Sequence, residues 1–126
     1  MDKIFLGKKL VAIRVRKFAR GVVPVTAPAD ALQLLTINRK KGEVVLPHRH
    51  LPRRRVTSVL QECLVVVQGR IRVELYDGAG RVFRKVAVRA DEALILLGVP
   101  HAVHFLEDSF VFETKNGPFM EDKLFL

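Results

Sequence analysis

Apolar runs of four to eight residues recur along this chain, and glycine, proline or asparagine ends most of them. Val, Ile, Leu and Phe dominate the runs, and no segment repeats its apolar residues at the helical spacing of three and four. Short β-branched runs between turn formers are the mark of an all-β chain. Strands are expected over 10–17, 31–38, 43–50, 60–68, 70–76, 81–88, 93–97, 102–106 and 109–115. Tyr76-Asp77-Gly78-Ala79-Gly80 reads as a hairpin turn, because glycine accepts the positive φ that tight reversals need. Gln68-Gly69-Arg70 and Glu107-Asp108-Ser109 read as shorter reversals.

So many short strands without helices between them imply a sandwich or a jelly-roll barrel. With 126 residues, one domain with a real core is the simplest reading. It divides into an N-terminal strand segment over 1–30, a barrel core over 31–115 and a C-terminal tail over 116–126. Cys63-Leu64-Val65-Val66-Val67 is apolar on both faces, so both must be covered. The barrel interior covers one. A second subunit, giving a homodimer, or the chain's own N-terminal segment covers the other.

Charge is unevenly spread. Residues 1–72 hold 16 basic and 4 acidic side chains, or +12, while residues 73–126 hold 6 and 9, or −3. A field of this kind attracts anions. The lone cysteine excludes an internal disulfide, and neither a leader peptide nor an apolar stretch long enough to span a bilayer is evident, so a cytoplasmic, non-membrane protein is expected. Nucleic acid ranks last among the anions, since there is no tryptophan and one tyrosine to stack bases.

His48 and His50 are one residue apart, so on a strand both point the same way. Taken with Glu62 and His101 they form a candidate set of three imidazoles and a carboxylate, good ligands for a first-row divalent metal with coordination positions left open. Two histidines on a solvated strand, and a Glu62 paired with a loop arginine, are the plainer alternatives. His104 falls on the face opposite His101 and reads as structural or exposed. Cys63 likewise points away from Glu62 and is expected to be a buried, inert thiol. Glu113 and Lys115 share one face of their strand and either line the interior or form a surface pair; Gln33 is equally open.

Gly42, His48, His50, Glu62 and Gly69, followed by Gly98 and His101, resemble the two motifs of the cupin superfamily, G-x5-H-x-H-x3,4-E-x6-G and G-x5-P-x-G-x2-H-x3-N. Eleven residues, Leu51 to Gln61, separate His50 from Glu62 where the family has three or four, and Ala90, Leu96 and Phe105 replace motif residues. The resemblance implies a cupin-type double-stranded β-helix, a jelly-roll barrel. It also implies that His48, His50, Glu62 and His101 hold a metal, which could be Mn, Fe, Co, Ni or Zn.

The His48-Arg49-His50 element, the arginines 53–55, the Gln61-Glu62 pair and Gly117-Pro118-Phe119 are also similar to small single-domain cupins of surface-polysaccharide biosynthesis. Arg53, Arg54 and Arg55 follow His50 closely enough to orient an anionic small molecule, such as a nucleotide-linked or acidic sugar. A metal-dependent isomerase, epimerase or oxygenase is one reading, and a non-catalytic sensor of a ligand or metal is the other. No residue stands out as general base, unless Glu62 is not a ligand.

Overall fold

The structure, a computed structural model, describes residues 1–126. It contains ten strands and no helix, so no helix is long and apolar enough to cross a membrane. The strands are β1 (Asp2–Leu6), β2 (Lys9–Val15), β3 (Gly21–Pro24), β4 (Leu35–Asn38), β5 (Glu62–Gln68), β6 (Arg70–Tyr76), β7 (Val82–Arg89), β8 (Ala93–Leu96), β9 (His101–Phe105) and β10 (Phe110–Lys115). They form three antiparallel sheets, ordered β1-β2-β8-β5-β10, β7-β6-β9 and β3-β4.

Alternation decides which residues are buried. Leu64 and Val66 of β5 and Leu94 and Leu96 of β8 point to one side of the five-stranded sheet, where they join Ile71, Val73 and Leu75 of β6 and Val86 and Val88 of β7 in the main core. Each such side chain contributes about 1.5–3 kcal/mol by leaving water. On the other side of the same sheet, Ile13, Val15, Cys63 and Ile95 form a second cluster, to which Val25, Leu32 and Leu34 are packed. Both faces of β5 are therefore covered, and the chain's own segment around 25–34 covers the outer one. Gln61 pins that segment: its Oε1 accepts the Leu32 N–H at 2.9 Å. Gln33 is exposed, and its amide donates to the Ala27 and Asp30 carbonyls within the turn at 27–30.

The hairpin between β6 and β7 turns where expected, with Asp77 Oδ1 accepting the N–H groups of Ala79 and Arg81 at 2.9 and 3.0 Å. Between β5 and β6, Gly69 has φ +89° and lies against the Asp108–Ser109 backbone, a position closed to any side chain.

Four expectations are corrected. The sheets do not close into a barrel, since they remain three with open edges. No strand forms over 43–50: residues 39–61 carry no regular structure, and 39–59 are exposed throughout. Pro47 and Pro52 each remove a backbone donor there, and a β-prone run gains nothing from its propensity without a ladder partner. β4 starts at Leu35, because residues 31–34 turn inward over the second cluster instead of extending the strand. Finally, β1 and β3 lie within the expected N-terminal strand segment but outside the runs singled out as strands; β1 opens on two charged residues and β3 has only four, so neither shows a clear apolar alternation.

Candidate functional site

Glu62 is the first residue of β5 and lies on the same face as Leu64 and Val66. Its neighbours in register are Leu96 on β8 and Lys115 on β10. His101 is the first residue of β9, opposite Leu75 of β6. The two residues thus begin strands of different sheets at one end of the sandwich, and their side chains meet between the layers. Glu62 Oε2 lies 3.0 Å from His101 Nε2, with the carboxylate 12% and the ring 24% exposed.

The ring's protonation follows from its partners. The Val99 carbonyl, 2.9 Å from Nδ1, accepts a hydrogen bond from that nitrogen's N–H. A carboxylate at Nε2 accepts from the other, so in this arrangement the ring is an imidazolium. The hydrogen bond to Glu62 raises the His101 pKa above its usual 6.5 although burial works against the charge. The same bond holds the Glu62 carboxyl below its usual 4.5, again against burial. Glu113 and Lys115, also facing this side of β10, add smaller shifts: Glu113 and then Lys115 further lower Glu62, and Glu113 further raises His101. A carboxylate beside an apolar core is costly unless a cation meets it, and here the histidine is that cation.

The other two expected ligands stand apart from this pair. His48 and His50 are exposed on the irregular 39–61 segment, with ring centroids 5.3 Å apart and planes at 76°. His48 Nδ1 donates to the Leu46 carbonyl at 2.8 Å, the same bond to a carbonyl two residues upstream that His101 makes. Such a bond fixes the tautomer that leaves Nε2 to a metal or a substrate. The four side chains therefore come together as two pairs, and nowhere do three histidine, cysteine or carboxylate side chains gather closely enough to hold a metal ion.

Arg53, Arg54 and Arg55 are exposed on the same segment as His48 and His50. His104 faces away from the Glu62–His101 pair and bonds Glu74 at 3.0 Å, beside Arg72 and Lys85, as an exposed charge cluster. Cys63 is buried, which pushes its thiol up to about 11.

Sequence reasoning did not single out Asn116. Its Oδ1 accepts the Gln61 N–H at 2.8 Å, and its Nδ2 donates to Thr57 Oγ1 and the Val59 carbonyl at 3.1 and 3.0 Å. It so ties the chain entering β5 to the chain leaving β10. Next to it a cleft of about 350 Å³ opens between residues 57–60 and Lys115 with the tail Gly117–Phe119. The only sequence signal was the Gly-Pro-aromatic tail that follows it.

A family model for a domain of unknown function, DUF6016, matches residues 23–88, just over half of the chain. The chain belongs to the DUF6016 family. The DUF6016 match runs from β3 to β7, and so takes in His48, His50, the three arginines and Glu62 but stops short of His101. Neither the curated proteins nor the solved structures contain a match to it.

Proposed function

We propose that this protein is a small cupin-type domain that binds an anionic small molecule, of the nucleotide-linked or acidic sugar class, at the end of the sandwich where Glu62 and His101 meet. That contact carries the reading. Two polar side chains from different sheets converge at the edge of an apolar core and shift each other's pKa, a feature that marks functional sites more often than other surface. The exposed guanidinium groups of Arg53, Arg54 and Arg55 supply forks suited to phosphate or carboxylate. The packed antiparallel sheets are in keeping with a jelly roll whose long 39–61 segment lies outside it.

The donor set fits a divalent metal in part. His101 Nε2 and a Glu62 oxygen would provide one nitrogen and one oxygen ligand, and His48 and His50 would join them if the 39–61 segment closed over this end. Such an ion, when bound, supplies Lewis acidity toward a substrate oxygen. The chain's own part is to position the anion through the arginines and to hold the His48 and His101 rings by their Nδ1 bonds.

The 3.0 Å bond between Glu62 and His101 favours a second reading, acid–base chemistry without a metal. His101 would carry the proton at Nε2 and Glu62 would orient the ring and stabilise its charge, which supplies the acid–base group that the sequence did not reveal. In this reading His101 serves as the general acid toward a substrate oxygen.

Elemental analysis of purified protein, then turnover with nucleotide-linked sugars in air and without it, tests both readings. Bound metal that is lost in both His48→Gln and His101→Gln supports the metal reading. A metal-free protein whose turnover falls in His101→Gln and Glu62→Gln, but not in His48→Gln, supports the acid–base reading. No metal, and binding of these sugars unaffected by any of the three substitutions, overturns both.

A further inference from the structure

The five-stranded sheet ends on β10, whose edge away from β5 pairs with no strand. An edge strand offers unpaired N–H and C=O groups, and proteins normally protect it with charge, proline or a bulge. β10 begins Phe110-Val111-Phe112 with none of these, and its charges, Glu113 and Lys115, are confined to its second half. The register shift beside it lies between Val66 and Gln68, so the extra residue, Val67, belongs to β5 and leaves β10 regular. Phe110 and Phe112 share the face opposite Val111 and are 67% and 69% exposed, with Val67 of the adjoining strand 49% exposed. Two neighbouring phenylalanines on an open edge form a surface that favours a partner strand.

We propose that a second copy of this chain occupies that edge, through antiparallel β10–β10 pairing about a two-fold axis centred on Phe112. The sequence of the strand selects the register. A two-fold axis perpendicular to the sheet keeps the core face on the core side, so the axis must pass through a residue of the strand and not between two. Centred on Glu113, it would set that carboxylate against its own copy, which is destabilising. Centred on Val111 or Thr114, it would overlap only three strand residues.

Centred on Phe112, it overlaps five, from Phe110 to Thr114. Phe112 then faces its counterpart, Phe110 faces Thr114, and Val111 faces Glu113. No like charges are opposed. Both copies' Phe110 lie diagonal to the central pair, so four aromatic rings gather on one face at distances where cross-strand aromatic pairs attract. The five-stranded sheet becomes a ten-stranded one. This pairing does not depend on what the Glu62–His101 end binds.

Sedimentation of the full chain and site-specific cross-linking test it. The wild type sediments as a dimer, and Phe112→Asp, an exposed change that places two carboxylates at the axis, sediments as a monomer with its strand circular dichroism unchanged. Directly opposed residues lie about 4.5–5.5 Å apart at Cα, within the range a disulfide spans. Mild oxidation therefore joins two copies of Phe112→Cys, while Thr114→Cys, which faces Phe110, stays unlinked and Cys63 is buried out of reach. A wild type that is monomeric at every concentration overturns the proposal, including the case where another segment of the same chain covers the edge. So does a Phe112→Asp protein that remains dimeric, or a Thr114→Cys protein that links as readily as Phe112→Cys.

Discussion

Glu62 and His101 open strands of two different sheets, yet their side chains meet at 3.0 Å. The bond is worth most when the carboxyl is ionised and the ring protonated. His101 has its folded pKa raised, so its share of the stability is complete below the unfolded value of 6.5 and is lost as pH rises through the folded one. Glu62 has its folded pKa lowered, so its share is complete above 4.5 and is lost as pH falls through the folded value. In metal-free protein, the difference in urea midpoint between wild type and Glu62→Gln is therefore largest between pH 4.5 and 6.5 and shrinks on either side. A difference independent of pH would show that the pair does not carry charge.

Gly69→Ala should destabilise the fold strongly. The new methyl would collide with Ser109 Oγ and come within 2.5 Å of the Asp108 carbonyl oxygen, at a φ of +89° that alanine rarely adopts. Strain of this kind costs of order 1–3 kcal/mol before any backbone shift. Thermal unfolding of the variant checks it, and an unchanged midpoint would mean that the turn between β9 and β10 moves aside at no cost.

Asn116→Ala removes the tie between the strand leaving β10 and the chain entering β5. The Gln61 N–H loses its acceptor, a loss of about 1–3 kcal/mol for a partly buried donor. Residues 57–60 lose both side-chain bonds that hold them, so limited proteolysis should cut this segment sooner in the variant than in wild type. Equal rates would place the anchoring elsewhere.

Cys63 should resist thiol reagents in the native protein and react once urea unfolds it, because burial both shields the sulfur and pushes its pKa to about 11. Rapid modification under native conditions would mean that the outer cluster around Ile13 and Ile95 opens easily.

Local chemistry was legible from residue types alone. Alternation placed most strands, put His104 on the face away from His101, and required cover on both sides of β5; the Asp-Gly-Ala-Gly turn reversed the chain where its glycines allow it. These are properties of neighbours in the chain, set by a side-chain period of two and by allowed φ angles. The order in which strands lie side by side is a different matter, because it depends on which distant runs find free edges. That order brought Glu62 to His101, gave the outer face of β5 to residues 25–34, and left 43–50 without a ladder to join. A one-dimensional pattern states which face a side chain prefers; only the packed sheets decide what waits on that face.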